Sequence, residues 1–434
     1  MSAELRKKIE VVLTALQNGD HEYCSFKELD KRVVFEEGLS KEEKFKEVVE
    51  TVCKYTIDTK SKNWIAKLYG GGSEMSFVAE MIIAHFNQNC HTYRSSPFFT
   101  FAEEQIIKKI IGYVGYGEGA SGIFLPGGSF CTYIGMICAR YKKYPASKRT
   151  GLNHSIQVIT SVNSHYSIDK GAIMMGMGTD NVIKIDFDTI TPQEFEDIVV
   201  RNNVFMINST MGTTSEGIME SVEKFAKVLK KYNIWHHIDA CVGGIALFST
   251  KYRYLTSSFK HADSITIDCH KCLNLNQQCS VLLVKDGELL GDCSRVTAPY
   301  LFHKDSQYDV ANRSFQCGRR ADGFKLWFCD QLDDLDAQAT LIYDRNARFK
   351  KMIADDPRFE NVEKDSMTHC CFKLVSAEEG ENHEIMNALL KEGISIEYHK
   401  DYFKAVAVNS DIDEESFGSI LERIFAAHER LSQK

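Results

Sequence analysis

Proline is scarce in this chain, at 6 in 434 residues, and no two of them are neighbours. A polyproline spacer or Pro-rich linker is therefore excluded. No stretch of about eighteen consecutive apolar residues occurs, so there is no candidate for a membrane-spanning helix. The opening MSAELRKKIEVV lacks the apolar core and small-residue cleavage site of a secretory signal, and the expected location is the cytoplasm. Positive charge is not in excess. The net charge is -8 with both signs interspersed, which leaves no basic stripe for nucleic acid and no patch for a membrane surface. Internal repeats are missing too. The 14 cysteines are scattered through apolar stretches, where reduced thiols act as small core residues. Cys269 and Cys272 form a C-x-x-C without a second ligand pair at matching spacing, so no metal site is expected.

What the chain does have is a lysine in an informative setting. SITIDCHKC, Ser264 to Cys272, places Lys271 directly after His270 at the end of an apolar strand. About thirty residues earlier another apolar strand, IWHHIDAC, ends in Asp239. Lysine and aspartate at neighbouring strand ends are what pyridoxal 5'-phosphate chemistry needs. The amine holds the cofactor aldehyde as a Schiff base, and the carboxylate keeps the pyridine nitrogen protonated.

Other parts of such a site are present in order. GIFLPGGSF runs an apolar strand into Gly127, Gly128 and Ser129, with the helical run TYIGMICARY after it. Glycines let a backbone approach an anion, and the free N–H groups of a helix start bind it. His165 follows the strand VITSV and is suited to stack on a ring; NSTMGTTSEG carries Thr213 and Thr214 in a turn where hydroxyls reach a phosphate or ring oxygen.

The ordered series GGS, SHYS, GTT, HIDA and HK resembles the group II pyridoxal-phosphate decarboxylases, and within them the glutamate and cysteine-sulfinate decarboxylase branch. NQQCSVLLVKDG (276–287), PYLFHKDSQYDV (299–310) and FQCGRRADGFKLWF (315–328) carry the same resemblance. It is clear from about residue 70 to 328 and thinner on either side. The resemblance implies an α/β protein of the aspartate aminotransferase-like fold type I. A mostly parallel large-domain sheet is accompanied by a smaller C-terminal α+β lobe, and the protein works as a homodimer. The expected divisions are an N-terminal helical segment over 1–66 that packs across the dimer, a large cofactor-binding domain over 67–330, and a small domain over 331–434.

By the same resemblance Lys271, Tyr308 and His165 are the catalytic residues. Gly128, Ser129, His165, Thr214, Asp239, His270 and Lys271 hold the cofactor, with His270 on the phosphate side. Tyr308 is the mobile-loop acid. Gln88, Cys90 and Lys404 meet the substrate, an L-amino acid, most closely glutamate, aspartate or cysteine sulfinate, which would give an amine and carbon dioxide. The chain also departs from the pattern. Lys404 stands where these enzymes carry an arginine, and a lysine lacks the planar fork that clamps a carboxylate. The segment 86–96 is short, with Cys90 in place of a small hydroxyl residue. The stretch from Tyr308 to Gln316 is short as well, and Cys131-Thr132 replaces Ser-Asn. A lyase or transaminase on the same scaffold, or a degenerate relative with a binding role, stays open at this level.

Overall fold

The structure is a computed structural model that describes residues 2–18, 22–296, 308–363, 365–378, 380–406 and 408–433. The near-continuous apolar segments of the sequence become seven strands: β1 (Ser121–Leu125), β2 (Gln157–Ser161), β3 (Val182–Ile185), β4 (Val204–Thr210), β5 (Trp235–Asp239), β6 (Ser264–Asp268) and β7 (Ser280–Val284). Every residue of β4, β6 and β7 is buried, as expected of strands covered on both faces. The sheet order is β1-β7-β6-β5-β4-β2-β3. β6, β5, β4, β2 and β3 pair in parallel, while β7 runs antiparallel to both of its neighbours. With β7 the single reversed strand, β1 points the same way as the rest, and the carboxyl ends of six strands lie along one edge. That edge is where α/β sheets place ligands.

Helices cover the sheet. Gly128–Lys143 packs on β7, β6 and β4, and Pro97–Val114 on β1. A second, four-stranded antiparallel sheet follows from β8 (Phe359–Glu363), β9 (Cys370–Leu374), β10 (Glu397–His399) and β11 (Tyr402–Ala405), in the order β10-β11-β9-β8. It has its own core, in which Phe349 and Phe417 stack at 4.1 Å.

The N-terminal part differs from the helical segment expected over 1–66. Its helices are Ala3–Asn18, Phe26–Arg32 and Lys41–Tyr55, and none continues past Tyr55. The β-branched pair Thr56-Ile57 disfavours helix there, and Asp58 Oδ1 then accepts the Lys60 N–H at 2.9 Å, a local turn that competes with it. The following stretch straps onto the C-terminal lobe. Ile65 N–H donates to the Ser395 carbonyl at 3.0 Å, the Ile65 carbonyl accepts Val406 N–H at 2.8 Å, and Asn409 Nδ2 donates to the carbonyls of Lys60 and Ser61. Ile65 itself is fully buried in the small lobe's core. No helix among the described residues is long and apolar enough to cross a membrane.

One buried ion pair fixes the start of the sheet. Arg319 and Glu103, each with a side chain 2% exposed, meet at 2.8 Å. Arg319 also donates to the carbonyls of Cys90 and Phe124, and Glu103 accepts the Phe124 N–H. Removing one partner leaves an uncompensated buried charge, which costs about 3–5 kcal/mol. Arg319→Leu should lower the urea unfolding midpoint accordingly, and the double variant Glu103→Leu/Arg319→Leu should recover part of the loss. A midpoint unchanged in the single variant would remove this pair from the fold's essentials.

Candidate active site

The exits of β1, β2, β5 and β6 bring the expected residues to one place. β6 ends at Asp268, and the single helical turn Cys269–Cys272 follows, so Lys271 lies three residues on and on the same side. Lys271 Nζ is 3.0 Å from Asp268 Oδ2. Asp268 is 2% exposed and accepts a second bond from Ser280 Oγ at 2.6 Å. Burial works against the lysine's charge, but Asp268, with Asp239 adding to it, outweighs burial and holds the amine well above the ordinary lysine range. Asp268 in turn is pulled below the usual carboxylate range: burial opposes this, and the Lys271 ammonium prevails.

Asp239, at the end of β5, is 5% exposed and accepts the Cys241 N–H at 3.1 Å. His165 follows β2, and its Nδ1 accepts the Ser167 N–H at 3.2 Å, which orients the ring and puts the proton of the neutral imidazole on Nε2. Burial lowers its pKa below the ordinary imidazole value, with Asp239 opposing. His270 is buried too, and its Nδ1 accepts the Cys279 N–H at 3.3 Å.

The helix Gly128–Lys143 begins at the exit of β1. Its cap, Gly127, sits at φ 96°, a conformation open to glycine. The Gly127 carbonyl takes the N–H groups of Phe130 and Cys131, while helix geometry leaves those of Gly128 and Ser129 without an intrahelical acceptor. Gly128 has no room for a side chain. A Cβ there would lie 2.4 Å from Cys241 Sγ and 2.8 Å from Asp268 Oδ2. A glycine-opened helix start, a half-buried amine, a buried carboxylate and an oriented neutral imidazole share one strand edge. That donor set fits a phosphorylated aldehyde carried on a nitrogen heterocycle.

Residues 27–375 match the family model described as the pyridoxal-dependent decarboxylase conserved domain. The chain belongs to the pyridoxal-dependent decarboxylases. Its cofactor is pyridoxal phosphate. Among curated relatives of this decarboxylase family, the acidic amino acid decarboxylase of Xenopus tropicalis is 37% identical over 300 residues, covering 66% of this chain and 58% of that protein. Human cysteine sulfinic acid decarboxylase is 34% identical over 340 residues, covering 73% of this chain and 69% of the relative. The crystal structure of mouse CSAD superposes with a TM-score of 0.90 at 25% identity, covering 98% of each chain. Oryza sativa TDC, solved with PLP and tryptamine, shares the fold at a TM-score of 0.87 and 19% identity.

Other expected residues make contacts of their own. Thr214 is in the turn after β4, where its carbonyl accepts His369 Nε2–H from the small lobe at 3.2 Å, while the Thr213 hydroxyl closes the turn on Ile218 N–H. Tyr308 is 48% exposed and faces Tyr93 at 5.9 Å between ring centres. The segment just before it, residues 297–307, lies outside the described residues. Gln88 accepts from Ser96 Oγ at 3.1 Å. Among the described residues, neither Gln88 nor Tyr308 hydrogen-bonds to the Lys271 group. Cys90 is 1% exposed, its thiol 3.3 Å from Ser96 Oγ, and its carbonyl accepts from Arg319. Lys404 lies on β11, 6% exposed and 3.4 Å from Glu397 Oε2.

Three residues of the site are not apparent from the sequence motifs: Asp268, Ser280 and Cys241. Asp268 is detectable in principle, since a carboxylate three residues before a lysine at a helix start shares its face. Ser280 and Cys241 reach the site only through strand pairing and the β5 exit. Gly128→Ala should weaken pyridoxal phosphate binding by about tenfold or more, since overpacking typically costs about 1–3 kcal/mol. Titration by visible absorbance measures this, and an unchanged affinity would show that the cradle lies elsewhere.

Proposed function

We propose that the chain is an α-decarboxylase of an acidic L-amino acid, converting glutamate, aspartate or cysteine sulfinate to the amine and carbon dioxide. The observation that carries this reading is the half-buried Lys271, paired with the buried Asp268 and set near Asp239 and His165 at the edge where the Gly127–Gly128 helix start opens. The cofactor supplies an electron sink for the bond that breaks. Lys271 provides the covalent tether, and Asp239 the fixed negative charge for the ring nitrogen. His165 stacks on the ring face. Gly128, Ser129 and His270 serve the phosphate side, with the Thr214 hydroxyl reaching a ring oxygen or phosphate. These residues must also keep water out and hold the substrate's carboxylate bond perpendicular to the ring.

Tyr308 is the proton donor to the substrate's α-carbon in this reading, and Gln88 meets the substrate's far end. Both stand in one cluster joined by the Asp309 carboxylate, which accepts the Tyr93 N–H, and among the described residues no hydrogen bond links either of them to Lys271. A homodimer that apposes this cluster of one protomer with the lysine of the other reconciles the two halves. The exposed apolar side chains Phe77, Met81, Phe86, Phe98 and Phe101 in the same region supply a surface for that contact. The preference for acidic substrates follows the names of the relatives. Lys404 can serve it only by leaving Glu397 for the substrate carboxylate. Buried free cysteines agree with the reducing cytoplasm as its location.

Carbon dioxide and amine release from acidic, aromatic and basic amino acids tests the reaction and the substrate class together. Release from an acidic substrate is expected, and keto acid in place of amine would make the chain a transaminase. Tyr308→Phe should keep the visible absorbance of the bound cofactor while amine formation falls by about 10²-fold; full amine formation would remove the tyrosine as the acid. Lys404→Met should raise KM for the acidic substrate by about tenfold, and an unaffected KM would confine Lys404 to its pair with Glu397.

A further inference from the structure

One buried charge is left over once the cofactor's partners are assigned. Asp239 suffices for the ring, yet the group in contact with Lys271 is Asp268, at 3.0 Å. Ser280 Oγ fixes its other oxygen, and His270 Nε2 is 4.0 Å away. The same carboxylate stands against Gly128, its two oxygens 2.8 and 2.9 Å from where a Cβ would be. We propose that Asp268 is a positioning residue that holds Lys271 as an ammonium in the cofactor-free chain and so sets how fast, and in what pH range, the lysine captures pyridoxal phosphate. This deepens the cofactor assignment and rests on it.

Only a neutral amine has the lone pair that attacks an aldehyde carbon. In the capture step the ammonium gives one proton to solvent and a carbon–nitrogen bond forms. The two remaining amine hydrogens leave with the aldehyde oxygen as water, and nothing is oxidised or reduced. The ion pair must part first, and the Asp268 side it leaves behind is only 3% exposed. Asp268 from β6, Asp239 and Cys241 from the β5 exit, His165 from the β2 exit and the adjacent His270 face the amine or its partner. Burial keeps both imidazoles toward the neutral form, so the carboxylates decide the balance. Removing the charge of Asp268 while Asp239 stays raises the neutral-amine fraction at any given pH. Capture then becomes faster, and its pH dependence moves to lower pH.

The test follows capture by the cofactor-stripped full chain. Stopped-flow absorbance gives the rate between roughly pH 6 and 10, and borohydride trapping with peptide mass analysis locates the adduct on Lys271. Pyridoxal, which lacks the phosphate, is run beside pyridoxal phosphate. Asp268→Asn should capture both aldehydes about tenfold faster near pH 7, with its pH midpoint lowered by about one unit. Asp268→Glu, which keeps the charge, should resemble the natural chain. Acceleration confined to the phosphorylated aldehyde would show that Asp268 acts on the phosphate, and the proposal would fall. Unchanged or slower capture by a folded Asp268→Asn chain would sink it as well. The natural chain provides a check that needs no variant: its capture rate should still be rising at about pH 9, and a plateau below about pH 8 would contradict a held ammonium. No adduct on Lys271 at any pH would overturn the cofactor assignment itself, an outcome distinct from the others.

Discussion

Parallel pairing is the constraint on which the site depends. Strands that run the same way cannot be joined by tight hairpins, so each returns through a covering segment on a face of the sheet. Their carboxyl ends consequently fall on one edge, and that edge collects Gly128, His165, Asp239 and Lys271 from segments far apart in the chain. The one reversed strand adds to this arrangement. β7 presents its first residue at the edge where the other strands finish, and Ser280 thereby reaches Asp268.

Buried charge does a second kind of work in this molecule. Lys325 is fully buried and meets Glu80 at 2.8 Å and Asp322 at 3.1 Å, and it donates to the carbonyls of Asn276 and Gln278. It thereby gathers the loop that ends at Cys279, whose N–H orients His270. Arg319 and Glu103 do the same for β1 and the segment around Cys90. Ion pairs removed from water contribute little net stability against apolar replacements, so their effect here is to single out one arrangement of the loops around the lysine.

The large sheet is legible in the sequence because its strands are short apolar runs bounded by polar turns. The strand exits at Asp239 and Lys271 can be read directly, since a charged side chain that closes an apolar run adds nothing to the packing of the strand. Legibility fails where a residue's role depends on pairing across the fold. Cys90 occupies a loop position that reads as substrate-facing, and its bond to Arg319, more than two hundred residues on, cannot be read at all. Lys404 reads as a substrate contact, and the partner that strand register sets opposite it, Glu397, does not show in the linear order. Asp268 stands in plain view within SITIDCHKC, but the lysine that follows is enough to account for the motif, and the carboxylate's contact emerges only with the helical turn. Tyr308 and Gln88 can be read as residues of interest, but their partners Tyr93 and Ser96 cannot, because linear order does not show which loops pack together.

The strap of residues 60 to 65 has a consequence for how the chain can be divided. The small lobe's sheet and its covering helices come from the last hundred or so residues, but Ile65 fills their core and two of their backbone groups bond to its peptide units. A fragment carrying the C-terminal sequence alone would have a hole the size of an isoleucine and two unmet hydrogen bonds at its centre. Such a fragment would need the strap supplied with it, as a tethered or separate peptide, to close its interior. The lobe is thus a unit in space assembled from two stretches of chain with the whole large sheet between them, and during synthesis the strap must wait, its isoleucine unburied, until the lobe made long after it emerges.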